Sequence, residues 1–118
     1  MNTKYKLSRP PKETPALYEQ ENCGESAVVY AHYFLPGTGA DWYVTEYCPE
    51  RELIFGWAEI LKGCGEWGYT SLAELEVIEL PLLIEYNGKK FKCKIPMRVE
   101  RDLNWTARTM REILASRK

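Results

Sequence analysis

One histidine, His32, is the chain's whole supply of imidazole, which excludes any site built on two or more histidines. Four cysteines, Cys23, Cys48, Cys64 and Cys93, are too scattered for the two-to-four-residue spacing of a zinc knuckle. Their even number would allow two disulfides, but nothing marks the chain for secretion. Reduced and mostly buried thiols are the expectation. Gly37-Thr38-Gly39 is too short for a phosphate loop, and Gly63-Cys64-Gly65 lacks both the spacing and the lysine. No Gly-x-Ser-x-Gly pattern supplies a nucleophile. No run approaches a membrane span, and the first residues, MNTKYKLSRPP, place charges where a signal peptide needs an apolar stretch. A cytoplasmic protein with no catalytic residues, no metal, no cofactor and no membrane partner is therefore expected.

What is present suits one globular domain. At 118 residues the chain should bury roughly 65% of the surface its unfolded form exposes, enough for a core without staples. Residues 1–12 carry Lys4, Lys6, Arg9 and Lys12 among prolines and read as a loose basic arm. Residues 13–118 then form the domain. Thr14-Pro15 starts a short helix over about 15–21. Ala27–Leu35, Asp41–Tyr47 and Leu53–Ile60 are three strands in an antiparallel meander. Ser71 and Glu74 form a capping box that opens a second helix.

Asn87-Gly88 calls for a two-residue hairpin turn, which sets Tyr86 opposite Lys89, Ile84 opposite Phe91 and Leu82 opposite Cys93. One hairpin face, Leu82, Ile84, Tyr86, Phe91, Cys93 and Ile95, should pack on the core. The other pairs Glu85 with Lys90 and carries Lys92 and Lys94. Leu103, Ala107, Met110, Ile113 and Leu114 follow helical spacing, giving a final helix over about 103–116. The expected fold is α+β. An antiparallel sheet of about five strands, meander plus lysine-rich hairpin (residues 80–97), carries two or three short helices.

Charge is unevenly spread. Residues 13–79 hold thirteen acidic against two basic side chains, while residues 80–118 hold ten basic against four acidic. The segments either neutralise each other in the fold or form opposed faces. Two candidate surfaces follow from the second case. Asp41, Trp42, Tyr43, Thr45, Glu46, Tyr47, Glu50, Glu66 and Trp67 would suit a basic protein partner. Lys90, Lys92, Lys94, Arg98, Arg108 and Arg111 would suit nucleic acid. The aromatics lie largely in the acidic portion, which counts against a stacking platform and favours a protein partner over nucleic acid. Asp41, Glu46, Glu59 and Glu66 leave a carboxylate-dependent enzyme as a further option. His32, mid-strand in an apolar run, reads as a sheet-packed residue.

Several segments in order carry a family resemblance: Pro15-Ala-Leu-Tyr-Glu-Gln-Glu21, Val29-Tyr30, Asp41-Trp-Tyr-Val-Thr-Glu46, Ile54-Phe-Gly56, Glu66-Trp-Gly-Tyr-Thr-Ser-Leu-Ala-Glu-Leu75 and Glu100-Arg-Asp-Leu-Asn-Trp105. Together they resemble the domain of unknown function 2958 family, small proteins of phages, plasmids and other bacterial mobile elements. In that family the segment matching Glu76 runs almost directly into the one matching Glu100-Arg-Asp102, so the 80–97 hairpin is an insertion. The resemblance names no site. It implies a bacterial or phage-host cytoplasm and an accessory role, which with the residues above gives a non-enzymatic protein-binding factor as the expected function.

Overall fold

The longest strand, β3 (Asp41–Cys48), forms where aromatic and β-branched residues are densest, in DWYVTEYC. It pairs antiparallel with β4 (Leu53–Glu59), and the connecting turn closes through Glu52 at a positive φ of 49°. The computed structural model describes residues 5–81, 83–92 and 96–117. Within them the chain is mostly β. One five-stranded antiparallel sheet runs β5 (Glu66–Ser71), β4, β3, β2 (Ala31–Phe34), β8 (Glu100–Arg101). A two-residue strand, β1 (Val28–Val29), pairs with β9 (Arg108–Thr109). Two small helices, α1 (Leu72–Glu76) and α2 (Met110–Ala115), and one 3-10 turn at Gly24–Ser26 complete the body.

The five strands are not the five expected. β6 (Leu83–Tyr86) and β7 (Lys89–Lys92) form a separate ribbon outside the sheet, with Tyr86 opposite Lys89 and Ile84 opposite Phe91. Leu82, Cys93, Lys94 and Ile95 lie outside the described residues. Every described ribbon residue is exposed, so Ile84, Tyr86 and Phe91 of the expected apolar face do not pack on the core. The sheet edges are taken instead by β8 and by β5, the segment that leads into the helix opened at Ser71. β5 holds because Trp67 stands opposite Trp57 and Tyr69 opposite Phe55.

The short helix expected over 15–21 does not form, and the final helix is shorter than expected. Over 15–21 the chain makes successive turns, with Tyr18 at φ 76°, because the Glu46 carboxylate accepts the amides of Tyr18 (2.8 Å) and Gln20 (2.7 Å). The final helix begins at Met110, not 103. Asp102 first accepts the Asn104 amide at 3.0 Å, and 108–109 are drawn into β9. A reciprocal Thr109–Glu112 capping box then starts the helix. At α1 the Ser71 hydroxyl accepts from Ala73, without the reciprocal Glu74 bond.

Two cores form, one on each sheet face. Ala31, Tyr33, Trp42, Val44 and Ile54 pack under Leu72, Leu75 and Val99. On the reverse face Tyr43 packs with Val29, Met110 and Ile113, flanked by Trp57, Trp67 and Trp105. Residues 5–12, expected as a loose arm, are stitched across the first core. Leu7 is buried, its amide donates to Glu76 at 2.9 Å, and the Tyr5 hydroxyl donates to the Val99 carbonyl at 2.6 Å. Arg9 bridges Glu52 and Glu76. Burial works to raise the Glu76 carboxyl, but Arg9 and the Leu7 amide hold it below its ordinary value. Leu7→Ala should cost about 2–4 kcal/mol in urea denaturation, the usual range for a buried leucine. A cost near zero would mean that the strap contributes nothing.

The ion pairs answer the charge question in part. Arg9–Glu52, Arg9–Glu76, Arg98–Glu79 and Arg117–Glu59 each join a terminal cation to an acid of the middle segment. Among the described residues Cys23, Cys48 and Cys64 are free thiols, Cys23 and Cys64 exposed and Cys48 half-buried, against the expected burial. Among the described residues no helix is long and apolar enough to cross a membrane.

Candidate functional site

Strand alternation puts His32, Phe34, Asp41, Tyr43, Phe55, Trp57, Glu59, Trp67 and Tyr69 on the reverse sheet face. A β-bulge between Val44 and Glu46 shifts the register there. The six-residue helix α2 covers only the middle of this face, through Met110 and Ile113 packed against Tyr43. Two ends remain open.

The acidic-aromatic segment does not form the surface expected of it. Trp42, Tyr43, Thr45 and Glu46 are buried, because β3 is the central strand and is covered on both faces. Glu46 spends its carboxylate on two backbone amides, and the Thr45 hydroxyl donates to the Phe55 carbonyl at 3.2 Å. Asp41 and Tyr47 are half-buried, and Glu50 is exposed on the β3–β4 turn. Glu66 is exposed, but it alternates to the face opposite Trp67, beside Ala58.

At one open end a different aromatic set comes together. Phe55 stacks on Trp67 at 6.0 Å and tilts against Tyr69 at 4.8 Å. Trp57 meets Trp67 edge-on at 5.4 Å. Tyr18 and Tyr69 are 59% and 52% exposed, while Phe55, Trp57 and Trp67 are half-buried, so the aromatic set carries the edge of the second core out to solvent. Gln20, Glu21, Gly24, Ala27, Phe55 and Trp67 line a cleft of about 230 Å³ here. Partial desolvation, the neighbouring Tyr18 hydroxyl and the carboxylates of Glu46 and Glu21 raise the Tyr69 phenol above its ordinary value. The patch is therefore aromatic, with the Glu21 carboxylate at its cleft.

The other end holds His32 at a wider cleft of about 720 Å³. Asp41 meets its Nε2 at 2.7 Å and Asp102 its Nδ1 at 3.5 Å. Tyr43 lies parallel to the ring at 4.8 Å, and Trp105 tilts against it at 5.2 Å. The two carboxylates address opposite edges of the imidazole, so their oxygens diverge and cannot share one ion with it. Among the described residues no group of three or more His, Cys, Asp or Glu is placed to hold a metal. Neither ring nitrogen bonds a Ser, Thr or Cys, the pairing that nucleophilic catalysis needs. Arg101, also on the cleft, spends Nη1 on the Ser8 hydroxyl (2.9 Å) and the Arg9 carbonyl (2.7 Å). The arrangement anchors β2, β3 and the Asp102 turn to one another.

The basic candidates are divided. Lys90 and Lys92 are exposed on the ribbon, and Lys94 lies outside the described residues. Arg98 is paired with Glu79 at 2.6 Å and stacked on Tyr5, and Arg108 lies over Trp105 at 4.8 Å. Arg111 is exposed on α2.

The profile of the family described as protein of unknown function (DUF2958) matches residues 13–115. The chain belongs to the DUF2958 family. No curated protein and no solved structure matches this DUF2958 member. The family description assigns no activity, so function rests on the site itself. Sequence reasoning missed Tyr18, Glu21, Phe55 and Tyr69 as a surface. The available signal was aromatic alternation at 55/57 and again at 67/69, which places four rings on one face once the two segments pair.

Proposed function

We propose that this DUF2958 member is a non-enzymatic binding protein that takes a basic segment of a protein partner on the Tyr18–Phe55–Trp67–Tyr69 patch. The setting is the bacterial or phage-host cytoplasm that the family resemblance implies, with an accessory role in mobile-element biology. The observation that carries this reading is the exposure of Tyr18 and Tyr69 beside stacked Phe55 and Trp67. Rings that are wet and held rigid suit contact with a partner, since little side-chain entropy is lost on binding. Glu21 on the rim selects cations. Arginine and lysine side chains gain about 0.5–2 kcal/mol over an aromatic face, most when desolvated.

Titration of the protein with octa-arginine and octa-lysine, followed by tryptophan fluorescence, tests this. Glu21→Lys combined with Tyr69→Ser should weaken binding about tenfold or more, roughly 1.4 kcal/mol. Equal affinities for wild type and variant, or no binding at low salt, would remove the patch as the site.

A further inference from the structure

The ribbon of β6 and β7 is well specified and uncovered. Its turn places Asn87 at φ 52° and Gly88 at φ 75°, the paired left-handed residues of the favoured two-residue hairpin. Yet Leu83, Ile84, Tyr86 and Phe91 are 59%, 47%, 68% and 51% exposed. A lone two-stranded ribbon is marginal in water, and its apolar side chains stabilise nothing while solvated. By register, Ile84, Tyr86, Lys89 and Phe91 share one face, and Leu83, Glu85, Lys90 and Lys92 the other. The ribbon is thus apolar and cationic at once.

The same chain carries a surface of the matching kind. The Tyr18–Phe55–Trp67–Tyr69 patch is apolar, is rimmed by Glu21, and lies in the acidic segment of the sequence. Two ribbons pairing edge to edge through β7 would bring Lys89, Lys90 and Lys92 of each copy together, and through β6 Glu85 of each, which charge repulsion opposes. Ribbon against patch joins opposite charges and covers both apolar surfaces.

We propose that the basic segment taken by the patch is the 83–92 ribbon of a second copy of this chain, exchanged reciprocally in a two-fold dimer. This rests on the reading of the patch as a site for basic segments. Two-fold symmetry makes each contact occur twice, so one ribbon and one patch per chain close the assembly without leaving an open end.

Sedimentation velocity of the full chain over a concentration series, at low and at high salt, tests the proposal. A monomer–dimer equilibrium that salt shifts toward monomer is expected. Lys90→Glu with Phe91→Ser, and separately Glu21→Lys with Tyr69→Ser, should each weaken association tenfold or more. All four side chains are exposed, so the variants keep their core. Mixing the two variants restores one intact ribbon–patch contact, and a one-to-one heterodimer should form. A chain that stays monomeric at every concentration while still binding octa-arginine would overturn the second-copy assignment and leave the patch reading standing. Loss of both would overturn both. Association that the two variant pairs leave unchanged, or ribbon lysines that prove to matter only for binding single-stranded or duplex DNA, would also overturn it.

Discussion

Arg117→Met should lower stability by about 3–5 kcal/mol, the usual result of stranding one member of a buried ion pair. Glu59 is 1% exposed, and Arg117 reaches both its oxygens, at 2.7 and 2.8 Å. The guanidinium also donates to the Tyr43 hydroxyl at 2.9 Å and covers that ring. The Gly63 amide and the Trp57 indole complete the shell around the carboxylate. Burial alone would raise the Glu59 carboxyl. These donors reverse it, and the group falls from its ordinary 4.5 to about 2. A pKa depressed in the folded state contributes stability that is fully present above about pH 4.5. That contribution is lost as pH falls from 4.5 toward 2. Urea denaturation across this window should show a steep acid limb in wild type and a flattened one in Arg117→Met. Parallel curves would show that the pair carries no linkage.

Gly56→Ala should cost about 3 kcal/mol or more, while Gly68→Ala, directly opposite it, should cost nothing or stabilise slightly. A Cβ on Gly56 would lie 1.8 Å from the Tyr43 carbonyl oxygen and 3.1 Å from the Val44 Cα. Both neighbours are backbone of the central strand beside the bulge, so the sheet would have to open. A Cβ on Gly68 meets nothing within 4 Å, and removing a strand glycine recovers some conformational entropy. Two substitutions of the same chemistry on paired residues thus give opposite signs. Similar unfolding midpoints for the two would mean that the close approach at Gly56 relaxes freely.

The second and third strands of the meander were legible because their signals are local. The first, expected as one strand over 27–35, breaks at Tyr30 into β1, paired with β9, and β2. DWYVTEY and LIFGWAEI announce themselves by composition, and Asn87-Gly88 fixes its own turn. The failures share a cause in long-range bonding. Tyr18 and Gln20 leave the helical path because Glu46, 26 to 28 positions away, captures their amides. Residues 103–109 are held out of the final helix by the Asp102 amide, which donates to the His32 carbonyl at 2.8 Å, and by the pairing of β9 with β1. The Trp105 indole, bonded to the Val29 carbonyl at 2.9 Å, holds the same stretch in place. The site suffered likewise. The aromatics of 41–47 were noticed, but nothing local says that β3 is central and therefore covered on both sides. Glu59 and Arg117, 58 positions apart, show no sign of each other in the sequence.

The uncovered ribbon also divides the chain in a useful way. The halves on either side of Asn87-Gly88 meet through β2 with β8, β1 with β9, and Arg117 with Glu59. None of these contacts passes through the turn. A chain opened at that turn would yield an amino-terminal fragment holding most of the sheet and a carboxy-terminal fragment supplying its edge strand, cap and lock. The pieces hold between them every buried contact among the described residues, so the tip of the ribbon is a natural split point for fragment complementation.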